Sequence, residues 1–286
     1  MKTIKYFFEF IIIVTLFLLF KIVGYKIASN FGEIIGKTFG PLFRSSHITE
    51  KNLDNAKIAN SGLERNNIIK NMWGNYGRIF AEYIFIKDFR RNNLSKNIEI
   101  TGQDILENIK NSKKPVIFIS GHFNNFELMA MHLEKSNIDL AAIYRPLNNK
   151  FLNPIMEKIR KNFICKNQIK KGLSGTKEIL NYFKNGTSIA LMIDQRVSEG
   201  VKSNFFNLPA LTTTIPAQFV KKFNCEIVPV YIERKDRFFF KLEILKPIKF
   251  SPSDDIKIIT LRLNEILEKM IRRNPEQWIW THDRWK

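Results

Sequence analysis

Cysteine is almost missing from this chain. Cys165 and Cys225 are its two copies in 286 residues, and they lie far apart with no C-x-x-C and no Cys/His cluster. That excludes a zinc site or a disulfide framework and leaves each as a small buried apolar residue of a reducing compartment. No Gly-x-Ser-x-Gly elbow occurs, and neither cysteine has a histidine nearby in sequence, so a covalent intermediate on serine or cysteine is disfavoured. No glycine loop able to cradle phosphates is present either, so neither ATP nor a dinucleotide is expected as cofactor, and no metal. Acidic residues are the last shortage: 27 Asp and Glu face 46 Lys and Arg, a formal net charge of +19. Such a chain seeks anionic partners. No helix-turn-helix, finger or aromatic RNA-binding signature accompanies the charge, so nucleic acid is not expected, whereas an anionic membrane leaflet, a phosphorylated lipid or an acidic carrier protein fits. A general enrichment in Lys, Asn and Ile is the competing account of the charge.

What is abundant is apolar surface, with 44% hydrophobic residues, enough for one sizeable core. Residues 6–24 are nearly all apolar, with Glu9 and Lys21 close to the ends. Nineteen helical residues span roughly 28 Å, close to the thickness of a bilayer's hydrocarbon, so the stretch reads as a single membrane-crossing helix. A cleaved signal peptide competes with this reading, but no small-x-small site follows. Lys2 and Lys5 on one side and Lys21, Lys26 and Lys37 on the other leave the orientation open by charge alone. The basic, cysteine-poor remainder favours the cytoplasmic side.

Residues 25–44 read as an interfacial helix or, equally, an ordinary core helix. From 46 to 88 the pattern is helical, with Ile68, Met72, Tyr76, Ile79, Phe80 and Tyr83 at three and four spacing. Strand patterns at 98–100, 116–119, 140–144, 188–193 and 226–232 then alternate with helical ones near 103–110, 124–135, 148–161, 173–184 and 214–223. The stretch 238–244 adds a hairpin-like strand. Alternation of this kind predicts an α/β domain, a mixed and largely parallel sheet flanked by helices, with its site at the carboxyl ends of strands. His122, Arg145 and Asp194 each follow such an end. The expected division is an anchor over 1–25, an interfacial and helical segment over 26–90, and an α/β domain over 91–286.

The stretch 115–127, Pro-Val-Ile-Phe-Ile-Ser-Gly-His-Phe-Asn-Asn-Phe-Glu, organises the rest. A buried strand ends at Ser120-Gly121 and a helix follows from about Asn124. Five residues along one α-helix turn a side chain by about 500°, which would point His122 and Glu127 apart. With His122 in the corner and Glu127 in the first helical turns, the two can meet, with Asn124 or Asn125 as helix cap. The pair then reads as a dyad in which Glu127 orients the imidazole and His122 takes a proton from an attacking hydroxyl. The plainer reading is a histidine satisfying a turn beside a solvated glutamate.

Gly-His-Phe-Asn-Asn-Phe-Glu resembles the His-x4-Asp/Glu motif of glycerolipid-type acyltransferases, and most of all the late (secondary) acyltransferases of lipid A biosynthesis, the lauroyl/myristoyl transferases. Tyr144-Arg145-Pro146 with Asn149 and the helical run to Arg160, then Lys171-Gly172-Leu173, Ala190-Leu-Met-Ile-Asp194-Gln195 and Phe205-Phe206 resemble that family's further blocks in order. The closing stretch 274–285, Asn-Pro-Glu-Gln-Trp-Ile-Trp-Thr-His-Asp-Arg-Trp, does so too. The resemblance covers nearly the whole chain. It implies a membrane-bound enzyme at the cytoplasmic face of a bacterial inner membrane. The acyl donor would be acyl carrier protein, with acyl-CoA as the alternative, and the acceptor a hydroxyl of a lipid A precursor, or of a lysophospholipid or glycolipid. His122 and Glu127 would be catalytic, and Asn125, Arg145, Arg160, Asp194 and Gln195 would contact substrate. From another class, a non-catalytic basic lipid-binding protein remains the rival.

Overall fold

The computed structural model describes residues 2–44, 46–91 and 93–286. Two helices open the chain: α1 (Lys2–Val23) and α2 (Tyr25–Phe43), separated by a kink at Gly24, whose φ of 82° is left-handed. Three more follow, α3 (Ser46–Ala56), α4 (Gly62–Glu82) and α5 (Ile86–Arg90), the last preceded by a 3-10 turn at Tyr83–Phe85. The layered part runs β1 (Ile98–Thr101), α6 (Gln103–Ser112), β2 (Ile117–Ser120), α7 (Glu127–Lys135), β3 (Leu140–Tyr144), α8 (Asn153–Phe163), β4 (Asn167–Lys170), α9 (Leu173–Lys184) and β5 (Ser188–Met192). It continues with the hairpin β6 (Val201–Phe205) and β7 (Leu208–Thr212), α10 (Ile215–Phe223), β8 (Ile227–Asp236), β9 (Phe239–Ile244) and α11 (Ile256–Arg273).

Seven strands form one sheet in the order β1-β9-β8-β2-β5-β3-β4, every adjacency parallel except β8 with β9. This is the mixed, largely parallel sheet the alternation predicts. β2 and β5 lie at its centre and are buried almost throughout, as continuous apolar runs demand. Three strands escape the periodicity. β4, Asn-Gln-Ile-Lys, is too short and polar to stand out, and the β6/β7 hairpin pairs outside the main sheet, against α11. Both cysteines are buried and free.

α2 meets α4 backbone to backbone. A Cβ added to Gly36 would lie 2.1 Å from the Trp73 carbonyl oxygen, and one on Gly77 would lie 1.8 Å from that of Gly32. Gly36→Leu should therefore force the helices apart and cost about 3 kcal/mol or more. Gly62→Ala, with nothing within 4 Å, should be neutral or slightly stabilising. Thermal unfolding of the two variants tests the contrast.

Candidate active site

His122 lies two residues beyond β2, and Asp194 lies two residues beyond β5. The register pairs Ser120 with Met192, so both side chains leave adjacent strands at the same level. They meet there: Nδ1 of His122 is 2.8 Å from Oδ1 of Asp194, and the His122 backbone N–H donates to Oδ2 at 2.7 Å. The indole of Trp278 donates to the same Oδ2 at 2.9 Å. Asp194 is 2% exposed. An ionised carboxylate only accepts, so the neutral imidazole carries its proton on Nδ1 and presents a lone pair at Nε2. Burial alone would disfavour the imidazolium, but the charge and hydrogen bond of Asp194, with Glu127 further off, raise the His122 pKa above its ordinary value. Burial likewise works against the Asp194 carboxylate, yet His122 and the indole hold its pKa below the usual range.

Glu127 is placed differently from the expected dyad. It begins α7, and its Oε1 accepts two hydrogen bonds from Arg160, from Nε at 2.9 Å and Nη2 at 2.7 Å. The carboxylate hydrogen-bonded to the imidazole is that of Asp194. The cause is local: α7 starts at Glu127 rather than near Asn124, and Asn124 has a left-handed φ of 40°, so residues 122–126 form an irregular corner that turns Glu127 toward α8. Neither asparagine caps α7, since Phe126 holds the cap position without a side-chain bond.

Those asparagines are used to brace the corner. The side chain of Asn124 donates to Gln277 Oε1 at 2.8 Å, and its Oδ1 accepts from Arg234 Nη2 at 3.2 Å. Asn125, expected to touch substrate, is buried and donates to Glu82 Oε2 at 3.2 Å. Glu82 is wholly buried in a two-pronged ion pair with Arg234, at 2.8 and 2.9 Å, and also accepts from Ser29 of α2 at 2.7 Å. One hydrogen-bonded line thus joins α2, α4, β8 and the histidine corner.

His122, Glu127, Arg145, Arg160, Lys171 and Gln195 give a cavity of about 330 Å³ its polar lining, with the exposed Arg145 and Lys171 at its mouth. Its depth is apolar. Ala142 and Ala190 are register partners on β3 and β5, and Ala130 of α7 is also on the cavity wall with Met129, Ile164 and Leu191. Small residues at these positions leave open a slot that larger ones would fill. Phe118, the next residue across the sheet after Ala190, is fully buried. Of the expected substrate contacts, Arg145, Arg160 and Gln195 lie on the cavity wall, while Asn125 and Asp194 stand behind it. The closing stretch braces this end of the sheet. His282 Nε2 accepts from the Arg196 backbone N–H at 2.9 Å, and burial keeps that ring's pKa low. Arg284, fully buried, donates to Leu211 O and Thr212 Oγ1, both at 2.7 Å, and burial pushes its pKa down to about 10. Among the described residues, no group of three or more His, Cys, Asp or Glu side chains could hold a metal ion.

A histidine backed by a carboxylate, facing a slot with arginines in its polar lining and apolar walls below, can move a proton beside a long aliphatic substrate. The family model described as bacterial lipid A biosynthesis acyltransferase matches residues 1–286. The chain is 24% identical over 267 residues to a lipid A biosynthesis palmitoleoyltransferase of Escherichia coli (strain K12), covering 92% of this chain and 86% of that protein. It is also 24% identical over 253 residues to the lipid A biosynthesis lauroyltransferase of the same strain, covering 85% and 79%. A lipid A biosynthesis acyltransferase of Haemophilus influenzae is 24% identical over 262 residues, covering 88% and 83%. The family match spans every block of the site just described, and the chain belongs to the bacterial lipid A biosynthesis acyltransferases.

Proposed function

We propose that the enzyme moves a fatty acyl group from an acyl carrier protein thioester to a hydroxyl of a lipid A precursor at the cytoplasmic face of the bacterial inner membrane. His122 Nε2 takes the proton of the acceptor hydroxyl as its oxygen attacks the thioester carbonyl carbon. Asp194 holds Nδ1–H and stabilises the imidazolium that forms. The guanidinium of Arg160, kept in place by Glu127, or that of Arg145 faces the negative charge developing on the carbonyl oxygen. When the carbon–sulfur bond breaks, the carrier's thiolate takes the proton back from His122, leaving the new ester and a free thiol. The acyl chain occupies the slot over Ala142 and Ala190.

The observation that carries this reading is the lone pair of His122 Nε2 above an apolar slot, with Nδ1 committed to Asp194. The excess of Lys and Arg suits both an acidic carrier and a phosphorylated acceptor. Membrane attachment is read from α1, which is long and apolar enough to cross a bilayer; the outward apolar side chains of α2 support taking 26–90 as an interfacial and helical segment before an α/β domain over 91–286. The test is mass spectrometry of lipids after incubating the membrane-embedded enzyme with acyl carrier protein thioesters and a tetra-acylated lipid A precursor. Gain of one acyl group is the expected result. Transfer only to a lysophospholipid or glycolipid in the same assay would overturn the acceptor and keep the chemistry.

A further inference from the structure

The inner and outer faces of α1 carry opposite messages about how it meets lipid. Its length and composition suit a crossing, and its most apolar window is only 11% buried. Yet one stripe at helical spacing faces the protein, with Tyr6, Phe10 and Ile13 half-buried and Phe17 and Phe20 buried. Near the start, the Phe7 and Phe10 rings pack on Phe151 at 5.6 and 6.1 Å, and the Tyr6 carbonyl accepts from Asn149 Nδ2 at 2.8 Å. Near the end, Phe17 and Phe20 pack on Phe80 of α4 at 5.1 and 6.4 Å, and Lys21 pairs with Asp88 at 2.7 Å. From Tyr6 to Lys21 is about 22 Å of helix. If α1 crossed the bilayer with these contacts intact, either the Asn149 loop with its exposed Lys150 or the Asp88 end would be carried through the hydrocarbon, and buried charge there is costly.

α2 repeats the pattern. Its small face, Gly32, Gly36 and Gly40, presses on Trp73 and Gly77 of α4, so its bulky side chains are turned out: Phe31 is 57% and Ile34 60% exposed. Trp73, Gly77 and Phe80 lie at helical spacing on one face of α4, so α1 and α2 rest on the same side of it and their outer faces point away together. Small residues inside and large apolar ones outside invert the pattern of a water-facing helix. The exposed large hydrophobics continue across both helices, from Phe8, Ile12 and Leu19 to Phe31, Ile34 and Leu42. Lys2, Lys5, Lys26 and Arg44, all exposed, flank this surface and match an anionic leaflet.

We infer that α1 and α2 together form a platform lying within one leaflet of the bilayer, with both ends of α1 on the same side of the membrane. The occupant of the apolar face is lipid. One consequence concerns the site: Asn149 and Phe151, on which α1 rests, belong to the loop that begins at Arg145 on the cavity mouth. The platform sets that mouth at the headgroup level, where a lipid acceptor presents its hydroxyl. The inference rests on the reading that α1 enters lipid.

Impermeant-maleimide labelling of single-cysteine variants tests it. Wild type, with Cys165 and Cys225 buried, is the blank, and exposed Lys184→Cys marks the side of the catalytic domain. Thr3→Cys should label from the same side as Lys184→Cys in inverted and right-side-out vesicles. Labelling from opposite sides would overturn the platform. If Thr3→Cys is shielded from both sides, a nitroxide at Ile12→Cys decides: immersion of about 5 to 10 Å supports the platform, and a position near the bilayer centre, about 15 Å deep, overturns it. Failure of the full-length chain to float with vesicles containing anionic lipid would overturn the platform together with the membrane reading, while the acyl-transfer assay stands or falls by itself.

Discussion

Asp194→Asn should lower kcat by about four orders of magnitude, because an amide beside Nδ1 can donate where the carboxylate only accepted, and the ring then keeps its proton on Nε2. The base is lost without removing the base residue. Trp278 and the His122 backbone N–H would face the amide as well, so the substituted side chain has no way to reproduce all three contacts of the carboxylate. Glu127→Gln separates the two carboxylates. It weakens the hold on Arg160 but leaves the Nδ1 bond in place, and a fall of about ten to a hundredfold, with the pH inflection little moved, is expected. Single-turnover acyl transfer with both variants, alongside their thermal unfolding, gives the comparison. A larger loss in Glu127→Gln than in Asp194→Asn would restore Glu127 as the partner of the base.

His122→Ala should remove at least as much from kcat as Asp194→Asn, about four orders of magnitude, and the residual rate should lose its dependence on pH. In the wild type, the neutral imidazole is the active form and Asp194 raises its pKa, so activity should climb with pH through an inflection above the ordinary imidazole value of about 6.5. Any measurable rate left in Asp194→Asn should inflect at lower pH, since the charge that favours the imidazolium is gone. The same pair acts on stability. His122, with its pKa raised in the folded chain, contributes stability below its unfolded pKa that is lost as pH rises through the folded one. Asp194, with its pKa lowered, contributes stability above its unfolded pKa that is lost as pH falls through the folded one. Rate measured across pH 5 to 9 and unfolding from about pH 2 to 9 in wild type and His122→Ala separate the two effects, since the alanine variant keeps neither the inflection in rate nor the His122–Asp194 contribution to stability.

Much of the architecture is visible one segment at a time. The apolar run before residue 24, the buried strands at 116–119 and 188–193, the helices between them and the strand-to-helix corner at His122 all follow from local periodicity and turn residues. The predicted strands 116–119, 140–144 and 188–193 already place His122, Arg145 and Asp194 just past their carboxyl ends. Residue order alone, with its family blocks, also marks Arg160, Gln195 and the closing aromatic stretch.

Partner choice is decided elsewhere. Two carboxylates act on the charge of His122, and chain proximity favours Glu127. The register that sets Ser120 beside Met192 joins residues 72 positions apart and brings Asp194 to Nδ1. The left-handed turn at Asn124, held by Gln277 and Arg234 from distant segments, turns Glu127 toward Arg160. No local pattern shows that Asn125 answers to Glu82 across 43 positions or that Ala142 lies beside Ala190 to open a slot. Periodicity records which side of an element is apolar, because that is a property of each segment against water. Strand order, register and long-range hydrogen bonds are properties of pairs of segments, and only their packing in three dimensions selects them.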